Sequence, residues 1–299
     1  MLTQLKSTFH FNVADYHLRM GRFREAVAGF SEVIRLSPSY AAAHVNRGVA
    51  FQGMNDHRRA ISDFDRAIAI GFSLDSHRAL AYGGRGVSWK LVGDLDRAAA
   101  DYRQALALTP RFSPGHEELG VIAHFRYDFD AAIAHLDDAI KLAPRHASHY
   151  KTRGCVYFDR GDFAAAEADL RYAVNLADDA YALLFWYLAS CKMGRNAAQE
   201  LESRARRLKG RQWPFAIITL YLGKIGDDAL RAAARNSEDR AEAEFYIGEW
   251  HLLAGRRIEA LAALQMAAKS CPGWFMEHTA AVMELRRQGE PPDAAGELY

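Results

Sequence analysis

Cysteine, proline and net charge are all scarce in this sequence, and each scarcity excludes something. Three cysteines occur in 299 residues, Cys155, Cys191 and Cys271, separated by 36 and 80 positions. That spacing rules out a zinc ribbon or a CxxC redox pair. An odd, sparse set suits buried structural thiols in a reducing compartment. Eight prolines stand against 53 alanines, so the best helix former far outnumbers the worst and helix is the expected state. Thirty-eight lysines and arginines nearly balance 37 aspartates and glutamates, without the basic excess of a dedicated nucleic-acid binder. No run approaches the roughly 18 apolar residues of a membrane-spanning helix. The stretch Met1–His10 has no apolar segment of the kind a secretory leader carries. A cytoplasmic protein is expected, with a periplasmic or outer-membrane-associated one as the alternative if a leader lies upstream. Hydrophobic residues are 50% of the chain, enough to build a core.

What the sequence does have is an internal period. Ala26 to Ala60, Phe30 to Phe64, Ala98 to Ala132 to Ala166, and Pro110 to Pro144 are all steps of 34 residues, as are Gly86 to Gly120 to Gly154. Around these anchors the text rhymes: Asn46-Arg47-Gly48, Gly84-Arg85-Gly86, Thr152-Arg153-Gly154. Each block runs on into a turn, at Gly21, Gly93, Gly161 and Gly255, and then to Ala26, Ala98, Ala166 and Ala260. The pattern describes a helix-turn-helix unit. A small residue in the first helix (Gly48, Gly86, Gly120, Gly154, Gly248) faces a small one in the second (Ala60, Ala98, Ala132, Ala166, Ala260). Four residues after each of those alanines comes a large apolar residue on the same face, such as Phe64, Tyr102 or Leu170. Pro38, Pro110, Pro144 and Pro272 end the second helix.

A 34-residue period with these anchors resembles the tetratricopeptide repeat (TPR) family. The resemblance implies an all-α solenoid, a right-handed superhelix of helix-turn-helix repeats with a C-terminal capping helix over 275–287. Repeats fall at 7–40, 41–74, 79–112, 113–146, 147–180 and 241–274. Ala60 to Ala98 is 38 residues, so four are inserted near Gly71–Arg78, either as an extra helical turn or as an irregular loop. The expected organisation is five repeats over 1–180, degenerate helical repeats over 181–240, a final repeat and capping helix over 241–288, and a frayed tail over 289–299.

The second half is similar to a narrower group, the bacterial TPR lipoprotein family NlpI. The residues that carry this are Leu184-Phe185-Trp186-Tyr187-Leu188-Ala189, Gln212-Trp213, Leu220-Tyr221-Leu222-Gly223, Phe245-Tyr246-Ile247-Gly248 and Phe275-Met276-Glu277-His278. The resemblance implies a homodimeric envelope adaptor that presents substrates to a processing protease. Phe275, Val282 and Leu285 of the last helix, with Trp274, supply a dimer seam if left uncovered; the alternative is that this face only caps the solenoid. This chain shows neither the signal peptide nor the lipobox cysteine of that family.

In stacked repeats of this kind the first helices line a concave groove, and the anchors place Asn12, Asp15, Asn46, Val49, Gln52, Val87, Lys90, Glu117, Val121, His124, Lys151 and Cys155 on it. A groove with amides, cations and apolar patches suits a peptide, whose main chain the amides bond while the pockets take side chains. The expected function is therefore a non-enzymatic adaptor or scaffold for a protein or peptide partner, with no cofactor and no metal. Asn46, Lys90, His124 and Lys151 are expected to face solvent and to add little to stability. The helical pair Gly83-Gly84 marks either drift or a close approach by a ligand or helix. His124 and Cys155 could pair as base and nucleophile, but no orienting group or oxyanion donor accompanies them. His146 and His149 are two ligands short of a metal site and read as exposed histidines. Lys192, Arg195, Arg204, Arg206, Arg207, Lys209 and Arg211 form a basic stretch, either a solvated face or an attractor of an acidic partner.

Overall fold

The computed structural model describes residues 2–208, 210 and 212–290. The tail expected beyond residue 290 lies outside them, as do Lys209 and Arg211 of the basic stretch. Every regular element among the described residues is a helix. The chain divides into two compact units, residues 1–119 and 120–299. The first contains α1 (Leu2–Arg19), α2 (Phe23–Leu36), α3 (Ala41–Gly53), α4 (His57–Ile70), α5 (Asp75–Leu91) and α6 (Leu95–Leu108); α7 (Ser113–Phe125) begins in it and ends in the second. The second continues with α8 (Phe129–Leu142), α9 (Ala147–Arg160), α10 (Phe163–Leu176), α11 (Ala180–Lys192) and α12 (Ala198–Ala205). It ends with α13 (Phe215–Tyr221), α14 (Asp227–Ala233), α15 (Ser237–Leu253), α16 (Arg257–Ser270) and α17 (Met276–Arg287).

Local chemistry explains the boundaries. Asp56, Asp94, Asp128 and Asp162 each accept a bond from a backbone N–H three residues on, satisfying an orphan donor at the start of a second helix. The residue before each cap sits in the left-handed region. Glycine fills that position at Gly93 and Gly161, while Asn55 and Tyr127 adopt it at φ 57° and 60°, an uncommon conformation for a bulky side chain. Helices α2, α6, α8 and α16 all stop two residues before a proline, because that ring disfavours helical backbone ahead of it. The four inserted residues lengthen a helix: α5 has 17 residues where α3 has 13.

Within each pair the helices approach closely. Ala60, Ala98, Ala132, Ala166 and Ala260 are fully buried. The glycines opposite them are required chiefly by the large residue one turn further on. A Cβ at Gly154 would lie 2.6 Å from Leu170 and 3.4 Å from the Ala166 carbonyl, and one at Gly248 would lie 2.6 Å from Leu264. Gly84 is explained in the same way, since a Cβ there would meet the ring of Phe64 at 2.6 Å. A neighbouring helix, rather than a ligand, is what comes close to it.

An arginine ladder fastens one pair to the next. Arg47 donates through Nε (2.8 Å) and Nη2 (2.7 Å) to Asp63 of its own second helix, and through Nη1 (2.9 Å) to Ser31 of the preceding one. Arg85 forks onto Asp101 at 2.8 and 2.7 Å and reaches back to Asp65. Arg153 forks onto Asp169 at 2.7 and 2.8 Å and reaches back to Asp137. The planar guanidinium suits this role, with two donors matched to one carboxylate and a third left for another.

In the second unit α11 is buried along its whole middle, Ala182–Ser190, so it shows no amphipathic face. Phe185 lies edge-on to Phe158 (centroids 5.4 Å apart) and stacks on Phe245 (5.9 Å). Helix α17 does more than cap. It packs on α16 and also reaches α9, where Arg287 Nη1 donates to the Asp159 carbonyl at 2.9 Å. Val282 and Leu285 are buried within the chain, leaving Trp274 as the exposed member of the expected dimer seam. Lys192 is half-buried, its ammonium 2.9 Å from both Glu249 and Glu284. Burial pushes Glu249 up to about 7 despite Lys192. For Glu284, burial opposes ionisation, but Lys192 and Arg287 outweigh it and hold that carboxyl low.

Two outcomes test this packing. Arg153→Leu leaves Asp169 without its fork and should lower stability in urea melts by about 1.5–3 kcal/mol. Adding Asp169→Leu should restore much of the loss, since the buried Asp169 carboxylate is then no longer left without its fork. A double variant as unstable as the single one would contradict the ladder. Separately, Gly154→Ala should lower the melting temperature despite alanine's better helix propensity, because overpacking costs about 1–3 kcal/mol; an unchanged or higher value would contradict the close approach.

Candidate functional site

The sequence-predicted residues divide into those that remain available and those that the fold uses. In the first unit Asn12 and Val49 are exposed and Asn46 and Val87 half-buried. Neither amide has a hydrogen-bond partner among the described residues. Helical spacing puts Leu80 and Leu91, 53% and 40% exposed, on the same face of α5 as Val87. Asp15 pairs with Arg19 at 2.7 Å on its own helix, and Glu117 is half-buried.

Three of the expected groove residues occupy one register position and do something else. Gln52 donates to the Gly84 carbonyl (2.7 Å) and to Ser88 Oγ (2.8 Å). Lys90, its equivalent 38 residues on, binds Glu118. His124, another 34 on, sits 2.6 Å from Asp159 with both side chains buried. Each tie runs from one first helix to the next. Lys151 similarly reaches Asp179, the N-cap of α11, at 2.9 Å. The expectation that Lys90, His124 and Lys151 face solvent and add little to stability is corrected: consecutive first helices come close on this side, and long polar side chains bridge them. Val121 and Cys155 are buried as well.

The imagined pair of His124 and Cys155 is not assembled. His124 is bonded to Asp159, whose carboxyl burial pushes up against the pull of His124. Burial first, and Asp159 second, push the Cys155 thiol well up, away from the thiolate that nucleophilic chemistry needs. His149 is buried and stacked on His146 at 4.4 Å, not exposed as expected. The basic stretch is largely answered by carboxylates: besides Lys192, Arg204 meets Glu200 (2.9 Å) and Arg207 meets Asp178 (3.2 Å). Sequence reasoning missed the arginine ladder, although an Arg-Gly pair followed by Asp sixteen residues after the arginine was there to be read at Arg47, Arg85 and Arg153.

It also missed a cavity. On the second unit's first-helix side a space of about 270 Å³ is bounded by Lys151 and Cys155 of α9 and by Tyr181 and Phe185 of α11. Glu242 of α15 and Phe275, Met276 and Glu277 at the start of α17 complete it. Glu242 accepts from the Tyr181 hydroxyl (2.9 Å) and the Trp213 indole (2.8 Å), and Glu277 from the Tyr246 hydroxyl (2.9 Å). Burial raises Glu242 although both donors oppose it. Burial first, then the charge of Glu242, push Glu277 up to about 7. Helices α9, α11, α15 and α17, far apart in sequence, bring these groups together, so periodicity gave no sign of them.

The pH consequence has a definite sign. An ordinary glutamate titrates near 4.3, so between there and about 7 the folded chain holds a proton on Glu277 that the unfolded chain has lost. Its contribution to stability is complete below the lower value and is lost as pH rises through the upper one. Glu277→Gln should therefore raise the melting temperature, relative to the native chain, more at pH 8 than at pH 5. Equal offsets at the two pH values would mean that Glu277 titrates normally.

Comparison with known proteins completes the description. Among solved structures, PilF of Pseudomonas aeruginosa is similar at 17% identity and a TM-score of 0.61, covering 75% of this chain and 99% of that one. PilW, a type IV pilus biogenesis factor, is similar at 21% identity and 0.57, covering 68% and 91%. The C-terminal part of a TPR repeat-containing protein from Cytophaga hutchinsonii is similar at 13% identity and 0.53, covering 87% and 95%. At these identities the likeness is one of fold, and the fold is the expected all-α solenoid of helix pairs. A tetratricopeptide repeat model matches residues 12–71, 92–147 and 126–182, together just over half of the sequence. With its 34-residue anchors, capped second helices and glycine-mediated helix pairs, the chain belongs to the tetratricopeptide repeat family.

Proposed function

We propose that this protein is a non-enzymatic adaptor or scaffold that holds a protein or peptide on the face formed by its first helices. The observation that supports it is the pair Asn12 and Asn46, at equivalent positions of successive repeats, whose amides have no hydrogen-bond partner among the described residues. Exposed Val49, Leu80 and Leu91 lie on the same faces. An amide both donates and accepts, so it can read a main chain, and apolar neighbours take the side chains. The protonated Cys155 thiol argues against the thiol-dependent alternative. The NlpI resemblance adds a narrower version, an envelope adaptor of a processing protease. Its homodimer needs a surface other than Val282 and Leu285, which the chain itself covers.

Peptides selected on the full chain from a random-sequence display library test the reading. Asn12→Ala and Asn46→Ala should each weaken a selected peptide roughly two- to tenfold, the worth of one hydrogen bond at about 0.5–1.5 kcal/mol, with melting unchanged. Binding at full strength in both variants would place the ligand elsewhere.

A further inference from the structure

The cavity bounded by α9, α11, α15 and the start of α17 contains an electrostatic imbalance. Glu242 and Glu277 are 8% and 5% exposed, and both line it. Among the described residues, the side chains bonded to them are all neutral: Tyr181 and Trp213 on Glu242, Tyr246 on Glu277. Nearby charge adds to the imbalance. Asp239 and Glu238 act on Glu242, and Asp159 acts on Glu277. Lys151 is at the rim, but its ammonium is held by Asp179 at 2.9 Å. Buried carboxyls are normally paired with a cation or else take up a proton.

The size and walls of the cavity narrow the choice of occupant. A volume of about 270 Å³ corresponds to roughly nine waters and falls just below the roughly 300–1,000 Å³ of small-molecule pockets. One long side chain suits it better than a cofactor. Phe185, Phe275 and Met276 supply apolar wall, and aromatic faces attract cations.

We infer that this cavity receives the side chain of a lysine or arginine carried by a protein or peptide partner. Its ammonium or guanidinium sits between Glu242 and Glu277, and its methylene stem lies against Phe185, Phe275 and Met276. The inference rests on the adaptor reading above and gives the partner a chemical character, a basic anchor residue. Entry of the cation supplies the missing countercharge and displaces the proton that otherwise occupies the carboxyl pair. The Trp213 indole and the two tyrosine hydroxyls keep the carboxylates aimed while the cation arrives.

The test uses the full chain and the display-selected peptides. Peptides bound by the native chain should share a lysine or arginine at one position. Replacing that residue by norleucine or citrulline should weaken binding at least tenfold. The Glu242→Gln, Glu277→Gln double variant, checked for folding by its melting curve, should bind the basic and neutral peptides alike. The norleucine comparison is made on the native chain and needs no variant to fold. Selected peptides without a shared basic position, or norleucine peptides that bind as tightly, would overturn the inference and leave the adaptor reading standing. Selection of no peptide at all would overturn both. Displacement of the lysine peptide by 1,5-diaminopentane at equal concentration would assign the cavity to a free amine and overturn the peptide source.

Discussion

Close approach of two helix backbones is the constraint on which the rest of the structure depends. In five of the pairs a glycine of the first helix faces a large residue sixteen positions later: Gly48 faces Phe64, Gly86 faces Tyr102, Gly120 faces Leu136, Gly154 faces Leu170 and Gly248 faces Leu264. That single spacing sets the antiparallel register of the pair. The residue before the glycine then falls opposite the residue before the large one, which is why Arg47, Arg85 and Arg153 meet Asp63, Asp101 and Asp169. The ladder is thus a consequence of the packing. Its third donor, reaching back to the preceding second helix, turns a contact within a pair into one between pairs.

The same proximity decides what the first-helix face can offer. Gln52, Lys90 and His124 lie where groove residues are expected, yet each reaches the next first helix within its unit. Their fourth counterpart, Phe158, does the same with an apolar contact to Phe185. One position therefore serves the stack in four successive repeats, through an amide, an ammonium, an imidazole and a ring. A ligand on this face meets what the stack does not use, shorter polar groups such as Asn12 and Asn46 and the apolar side chains beside them.

Parts of the second unit depart from the rules of the regular repeats. Its helices α11 and α15 are buried around most of their circumference, and α15 and α17 carry carboxyls into the core that repeats usually leave in water. Glu249 and Glu284 have Lys192 as a shared countercharge. Glu242 and Glu277 have neutral donors and a cavity. Two acidic pairs in one core thus differ in whether the chain itself provides the cation.

Through the regular repeats the sequence by itself determined the secondary structure, the pairing of helices and their register; over 181–240 it indicated helix without pairing. These follow from local rules: alanine and the scarcity of proline favour helix, prolines and capping aspartates set ends, and a 34-residue repeat of small residues fixes which faces meet. The four-residue insertion before α5 was legible too, but whether it makes a helical turn or a loop only the structure decides, with a helix of 17 residues. What only the tertiary structure decided is which polar side chains face solvent. His124, Lys90 and Lys151 have the spacing of a groove lining, and spacing does not reveal how near the next helix comes. The cavity needed α17 to return to α9, a contact between residues about 130 positions apart. The burial of Glu242 and Glu277 depends on four helices at once, and no periodicity in a single strand of sequence records that convergence.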